Sequence, residues 1–115
     1  MHEERARVLR AELDRFVDIV SRELDPERIV LFGSFAHGEA HEWSDLDLVV
    51  VAETELLFLE RQKRVMHSVR PTVSIDFFVY TPSEWDYMTR TQPFMRDEIA
   101  AKGKIVYERR RAAVG

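Results

Sequence analysis

The sequence predicts a small α/β domain, and two observations lead to that prediction. Short apolar runs of strand length alternate with longer segments of helical period along the 115 residues. Hydrophobic residues make up 45 % of the chain, which is enough to bury a core, and the length is that of one domain. We therefore expect residues 1–115 to form a single domain in which strands and helices alternate.

The N-terminal segment has the pattern of an amphipathic helix over about residues 3–24. Apolar residues recur at helical spacing between acids and arginines, and they are Val8, Leu9, Leu13, Phe16, Val17, Val20 and Leu24. The pair Asp25-Pro26 should end this helix, because proline restricts the residue before it and cannot continue the hydrogen-bond ladder.

Two short apolar runs follow and predict buried strands over residues 29–32 and 46–51. Between them, Gly33 should turn the chain sharply into a brief helical segment that ends near Gly38. Residues 39–44 are polar and are expected to form a loop.

The second half of the chain predicts a helix over residues 55–69 and a third strand over 73–80. The expected core stripe of that helix consists of Leu56, Leu59, Val65 and Met66. The sequence Thr81-Pro82-Ser83-Glu84 is a helix start, since Thr can cap, Pro suits the first helical position and Glu can close a capping box.

The C-terminal part predicts a last helix over residues 93–102, stopped by Gly103, and a short edge strand over 104–108. The basic run Arg109–Arg111 begins a tail over about 109–115 that we expect to be solvated and frayed.

Composition narrows the function classes. A formal net charge of −4 and a pI of about 5.6 argue against a domain that grips a nucleic-acid backbone, since such domains are usually basic. Cysteine is absent, which excludes disulfides and thiolate metal sites and fits a reducing compartment. The N-terminus lacks the apolar core of a signal peptide, and no apolar run approaches the ~20 residues of a spanning helix. We therefore expect a cytoplasmic protein without membrane contact.

Three aspartates stand where apolar strands are predicted. Asp45 and Asp47 lie two residues apart at the start of the second strand, and alternation puts their side chains on one face. Asp76 interrupts the third strand in the same way. Three like charges would repel and raise each other's pKa unless cations hold them, and Mg²⁺ favours carboxylates together with substrate phosphates. A structural ion pair with arginine is the alternative.

A Gly-Ser pair precedes these carboxylates. Ten residues separate Ser34 from Asp45, and Ser34 stands at the mouth of the predicted helical segment, where free N–H groups attract anions. A metal ion bound beside a phosphate is the arrangement that enzymes use for phosphoryl or nucleotidyl transfer. The plain alternative is an ordinary turn in which Ser34 only caps a helix.

The pattern of Gly-Ser, ten residues, Asp-x-Asp and a later Asp on a strand resembles the DNA polymerase β-like nucleotidyltransferase superfamily. The length and the flanking sequence resemble its minimal nucleotidyltransferases, which bacteria and archaea often encode beside a small helical partner of the HEPN type. The resemblance covers about residues 26–108 and implies an α+β domain, a short mixed β-sheet flanked by helices.

The resemblance also implies roles for the aspartates. Asp45 and Asp47 would bind two Mg²⁺ ions, one of which arrives with the nucleotide. Asp76 would bind the other ion and help to deprotonate an acceptor hydroxyl. The implied reaction transfers a nucleoside monophosphate, AMP from ATP, with pyrophosphate as the leaving group.

By the same resemblance, Gly33 and Ser34 would hold the triphosphate, together with His37. The family usually has Arg or Lys three positions after the Ser, and a neutral histidine grips phosphate less well. His37 and His41 also have the spacing of a zinc pair on a helix, but Gly38 interrupts a helix there. Trp43 lies in the predicted loop, where it could line a cleft or a partner surface.

Several aromatic residues lie near the predicted site and could stack on a nucleobase or pack in the core, which we expect for most of them. They are Phe32, Phe35, Phe77 and Phe78.

Three functional hypotheses follow. The first is a protein adenylyltransferase that acts as antitoxin on a HEPN-type toxin. The second is a transferase for a small molecule such as an antibiotic, which usually needs a further acceptor domain. The third is a non-catalytic module that neutralises its partner by contact, and His37 favours it. The oligomeric state, homo-oligomer or hetero-oligomer, stays open.

Overall fold

The computed structural model describes residues 2–38 and 45–110, and four strands form its sheet. They are β1 (Arg28–Phe32), β2 (Leu46–Val51), β3 (Ile75–Tyr80) and β4 (Lys104–Glu108). The spatial order is β3-β2-β1-β4, with β2 and β3 parallel and the other two pairs antiparallel. The predicted mixed sheet in an α+β domain is confirmed, and a helical crossover joins its parallel pair.

Helices lie on both faces of this sheet. The α-helices are α1 (His2–Leu24), α2 (Phe58–Val69) and α3 (Pro82–Thr91). A single 3₁₀ turn, Phe35–His37, follows β1, and a π-helical segment, Met95–Ala100, precedes β4. The predicted last helix begins at residue 93, as expected, but it ends near Ala100. It is more widely wound over Met95–Ala100, with Ala101 N–H donating to the Arg96 carbonyl at 3.0 Å.

The first face of the sheet carries the larger core, which packs under α1 and α2. Its buried side chains include Leu9, Leu13, Phe16, Val20, Ile29, Leu31, Leu48, Val50, Val65, Val69, Phe77 and Val79. The predicted stripe of α1 is confirmed apart from Val8, which is exposed. Burying such an apolar stripe is the main stabilising contribution that a helix of this kind makes.

The stripe predicted for α2 is confirmed at Val65 and wrong at Leu59 and Met66, and Leu56 lies before the helix. Leu59 and Met66 are 70 % and 48 % exposed, and the buried positions are Arg61, Val65 and Val69. The helix begins three residues later than predicted because Thr54 Oγ1 accepts the N–H of Leu56 in a turn before it. That start sets the rotation of the helix, so a different row of residues faces the sheet.

Arg61 is only 8 % exposed and joins three elements. Its guanidinium donates to the carbonyls of Leu56 and Val79 and forms an ion pair with Glu84 at 2.7 Å. The neighbouring Gln62 donates to the carbonyl of Phe77 at 2.8 Å. Two carbonyls on the outer edge of β3 are therefore hydrogen-bonded by side chains from α2.

The second face of the sheet is covered over β1 and β2. There Val30, Val49 and Val51 pack against Met95 and Ile99 of the π-helical segment. The capping box at the start of α3 is confirmed: Thr81 accepts the Glu84 N–H at 3.2 Å, and Glu84 accepts the Thr81 N–H at 2.8 Å. Because the π-helical segment lies over the middle strands, part of β3 stays open on this face.

The predicted helix stop at Gly103 is confirmed, and its N–H donates to the Ile99 carbonyl at 2.8 Å. Gly103 is required for space, because a Cβ there would overlap the Ile99 carbonyl and a methyl group of Val30. Arg109 departs from its prediction: expected in a frayed tail, it donates its backbone N–H to the Glu27 carbonyl at 3.0 Å and its guanidinium to Asp25. Residues 111–115 of that predicted tail lie outside the described residues.

None of the helices within residues 2–38 and 45–110 has the length and apolar character to cross a membrane.

Glu12 ties α1 to the chain just before β3. It is 5 % exposed, pairs with Arg15 at 2.9 Å and accepts the Thr72 N–H. Arg15 in turn donates to the Arg70 carbonyl. The hydrogen bond from Arg15, with a further contribution from Thr72, lowers the pKa of Glu12 to about 2 despite burial.

We predict that Glu12→Gln lowers the free energy of unfolding by about 2–3 kcal/mol at pH 7. A carboxylate with a lowered folded-state pKa stabilises the protein above its unfolded pKa, and the contribution fades as pH falls from about 4.5 to about 2. Urea unfolding of both proteins at pH 7 and pH 3 measures the difference, which should shrink at pH 3. Glu23→Gln on the exposed face of α1 is the control. An equal loss of stability in both variants would mean that the contacts of Glu12 with Arg15 and Thr72 do not stabilise the fold.

Candidate active site

Two of the predicted carboxylates lie side by side on the second face of the sheet. The parallel register pairs Asp47 of β2 directly with Asp76 of β3. Residues opposite each other on neighbouring strands point to the same face, so these side chains stand about one strand spacing apart, ~4.8 Å. Asp45 precedes β2 by one residue and influences Asp47 electrostatically. The three aspartates predicted from the sequence are therefore neighbours.

Gly33 meets Asp47 from the other side. The antiparallel register places Phe32 opposite Asp47, so Gly33 follows at the end of β1. A Cβ on Gly33 would overlap the Asp47 carboxylate and lie 3.1 Å from its Cγ, and the backbone of Gly33 has φ of +79°. Both observations require glycine. The predicted sharp turn is confirmed, and its close approach is to the carboxylate of this chain.

Electrostatics distinguish Asp47 from the other acids. Burial, and then the like charges of Asp76 and Asp45, raise its pKa from 3.8 to about 6. Among residues 2–38 and 45–110, no arginine, lysine or histidine forms an ion pair with any of these three aspartates. The structure thus gives no support to the alternative of a structural ion pair, and it leaves Asp47 crowded by negative charge.

The remaining predicted residues contribute less to this arrangement. Ser34 has helical backbone angles, and its hydroxyl does not cap the 3₁₀ turn that follows. That turn is three residues long, so the helix-dipole attraction expected for an anion at Ser34 is largely missing. His37 is exposed on the turn. His41 and Trp43 lie outside the described residues.

A groove extends from the two carboxylates along the open part of β3. Its volume is about 360 Å³, and it is lined by Asp47, Asp76, Phe32, Val49, Phe78, Tyr80, Phe94, Met95 and Ile99. Apart from the two acids, nearly all of this lining is apolar, and small-molecule sites commonly combine such a surface with a few polar groups.

The aromatic residues divide between the groove and the core. Phe32 and Phe78 line the groove, whereas Phe77 is buried on the first face and packs on Phe16 at 5.8 Å between ring centroids. Phe35 lies under the guanidinium of Arg10. Phe94 was not expected at the site, since nothing in the sequence relates it to β3.

The carboxylates supply a donor set that fits Mg²⁺ in part. In the described stretches of chain, no three acidic, histidine or cysteine side chains already form a metal cage. Mg²⁺ usually takes one or two protein carboxylates and completes its shell with water and substrate phosphates. Asp45, Asp47 and Asp76 offer oxygens of that kind, so a cation would have to bring further ligands with it.

Comparison with known proteins gives the family. A model of the nucleotidyltransferase domain matches residues 13–111, which is most of the chain. The chain belongs to the nucleotidyltransferase domain family. No curated protein matches its sequence.

Solved structures agree with this nucleotidyltransferase domain at the level of the fold. A protein from Sulfolobus solfataricus, provisionally described as a nucleotidyltransferase, is 20 % identical, with a TM-score of 0.68 over 94 % of this chain and 87 % of its own. A toxin–antitoxin structure with AMP-PNP contains a chain that is 18 % identical, with a TM-score of 0.53 over 84 % of this chain and 73 % of that one.

BolA1 from Arabidopsis thaliana is also similar, at 19 % identity and a TM-score of 0.50 over 64 % of this chain and 94 % of its own. Part of this fold thus occurs in a protein that is not described as a nucleotidyltransferase, so similarity of fold alone does not establish the chemistry.

We predict that Asp47→Asn stabilises the nucleotidyltransferase domain without metal at pH 8. A carboxyl whose pKa is raised in the folded state makes its most favourable contribution to stability below pH 3.8, where it is protonated. That contribution is lost as pH rises through about 6 and the carboxyl ionises, so removing the charge should stabilise the protein at pH 8. The shift is equivalent to about 3 kcal/mol, and partial exposure should reduce the gain to about 1–2 kcal/mol.

Thermal unfolding in a metal chelator at pH 8 and pH 4 checks the sign of this effect. The gain in stability should be present at pH 8 and absent at pH 4. The control Asp14→Asn, at an exposed position, should show no gain at either pH. A large destabilisation by Asp47→Asn would mean that the carboxylate is a structural partner after all.

We also predict that Gly33→Ala and Asp47→Ala are energetically coupled. Alanine at position 33 would suffer from the positive φ and from overlap with the carboxylate, at a total cost of about 2 kcal/mol or more. Truncating Asp47 removes the overlap and leaves the φ strain, so the double variant should recover about 1 kcal/mol. Additive losses in a double-mutant cycle of urea unfolding would contradict the contact.

Proposed function

We propose that this nucleotidyltransferase domain transfers a nucleoside monophosphate, AMP from ATP, to a hydroxyl group of a partner protein in a Mg²⁺-dependent reaction. The partner we propose is a small helical HEPN-type toxin in the cytoplasm, so that the domain acts as its antitoxin. The observation that supports this best is the Asp47–Asp76 pair, adjacent on neighbouring strands and without a cationic partner among the described residues.

The crowded carboxylates favour a functional role over a structural one. Keeping like charges together costs stability, and Asp47 shows that cost as a raised pKa. Such costs are typical of sites whose geometry serves binding or catalysis. Asp45, Asp47 and Asp76 would hold Mg²⁺, which would offset their charge and stabilise the charge that develops on phosphate oxygens.

The chain's own residues would orient the reaction. The acceptor oxygen attacks the α-phosphorus of ATP, a new phosphorus–oxygen bond forms, and the bond from the α-phosphorus to the bridging oxygen breaks to release pyrophosphate. Asp76 would accept the proton of the acceptor hydroxyl. By the resemblance, phosphate would bind at Gly33, Ser34 and His37.

A protein acceptor fits the exposure of the site. Asp76 is exposed, so a side chain of another protein can reach its carboxylate. Among similar structures is a toxin–antitoxin solved with AMP-PNP, which supports both a protein partner and an adenine nucleotide.

A second candidate is a binding module that neutralises its partner by contact alone. One feature of the sequence favours it: by the resemblance, His37 stands where the family usually has Arg or Lys. A weak phosphate grip would reduce nucleotide binding and leave protein contact intact.

We predict that ATP with Mg²⁺ raises the melting temperature more than the sum of the separate effects of ATP and Mg²⁺. A ligand that binds only the folded state stabilises by mass action, and a shared site makes the two ligands cooperative. Asp47→Asn should abolish the extra shift, and Asp14→Asn should keep it. An identical ATP shift with and without Mg²⁺ would rule out the shared site.

The decisive experiment uses the domain with its partner, identified as the product of a neighbouring gene. Incubation with ATP and Mg²⁺ should add one or more AMP units to the partner, visible in its intact mass, and Asp45→Asn or Asp47→Asn should erase the gain. Tight binding without any mass change, together with full neutralisation by both variants, would establish the binding module instead.

A further inference from the structure

The groove beside the carboxylates is continuous with them along one strand. Asp76, Phe78 and Tyr80 occupy alternate positions of β3, and all three line the groove. Alternate residues of a strand are ~6.6 Å apart on one face. Phe78 is therefore the next residue after Asp76 on the face that carries the carboxylates.

The aromatic rings of the groove are held in position and remain accessible. The rings of Phe78 and Tyr80 are nearly parallel, with an angle of 11° and 6.1 Å between centroids. Phe58, from the start of α2, stacks on Tyr80 at 5.9 Å and on Phe78 at 6.5 Å. Although supported in this way, Phe78 stays 37 % exposed. A fixed ring with a free surface is suited to stacking, because little side-chain entropy is lost on binding.

The opposite side of the groove carries a second exposed ring. Phe94 is 60 % exposed, although the adjacent Met95 is buried against β1 and β2. Packing of Met95 and Ile99 fixes this part of the chain over the middle strands, so Phe94 is held beside the groove. Adjoining large apolar side chains exposed at a groove mark a binding surface.

We propose that this groove holds the base of the nucleotide, with Phe78 as the stacking platform and Phe94 beside it. This rests on the proposed function, since the carboxylates at one end fix where the phosphates lie. A nucleobase fits better than an apolar side chain of a partner, because the groove opens directly from the acidic pair and is flanked by flat rings.

The composition of the groove predicts its selectivity. Apart from the two carboxylates, Tyr80 supplies the one polar side chain among the described lining residues. Recognition would then rest on stacking, which depends on ring area and tolerates different base edges. Purines should bind several-fold more tightly than pyrimidines, with little difference between adenine and guanine.

The test measures equilibrium binding of ATP, GTP, CTP, UTP and inorganic tripolyphosphate in the presence of Mg²⁺. Phe78→Leu should weaken ATP binding about tenfold and leave tripolyphosphate binding unchanged. Phe78→Trp, which keeps a stacking surface, should retain the affinity. Tyr87→Leu removes an exposed ring outside the groove and serves as the matched control. Circular dichroism verifies that each variant is folded.

Three results would overturn the proposal. ATP could bind no more tightly than tripolyphosphate, which would leave the metal-phosphate site standing and remove the base site. Phe78→Leu could weaken partner binding and not ATP binding, which would assign the groove to a protein side chain. If neither ATP nor tripolyphosphate binds, the proposed function fails together with the base site.

Discussion

The placement of one carboxylate, that of Asp47, constrains much of the structure around the site. It points to the face shared with Asp76 on one neighbouring strand and lies against the backbone of Gly33 at the end of the other. The first contact is unfavourable because like charges repel, and the second allows no side chain at position 33. A fold that retains both contacts is less stable than it would be without this concentration of negative charge. The proposed nucleotidyl transfer would account for this cost, since that reaction needs acids where a cation and phosphates can meet.

Much of this arrangement could be predicted because it depends on local rules. Strand alternation placed Asp45 and Asp47 on one face, and a polar residue amid apolar neighbours marked Asp76 as unusual. The glycine turn and the capping box at Thr81 were readable for the same reason, as each needs only a few consecutive residues. The assignment of these aspartates as metal ligands and catalytic groups stays a prediction, as do the phosphate roles of Gly33, Ser34 and His37.

Other features depended on tertiary packing and were not predictable from a short window. The rotation of α2 is set by a turn at Thr54 and by the burial of Arg61, which no hydrophobic pattern signals. Phe94 joins the groove because the chain between α3 and β4 folds back over the middle strands, far from β3 in sequence. The helical mouth expected at Ser34 is a single 3₁₀ turn, since Gly38 adopts a left-handed conformation directly after it.

The side chains that α2 lays along the edge of β3 have a consequence for behaviour in a crowded cell. An outer strand with free carbonyls is a template on which another chain can add its own strand, and growth of such contacts leads to fibrils. Arg61 and Gln62 of the same chain already donate hydrogen bonds to the carbonyls of Val79 and Phe77. A strand of another chain therefore finds fewer free acceptors along this edge. An aromatic-rich strand can thereby stand at the border of the sheet with limited risk of self-association.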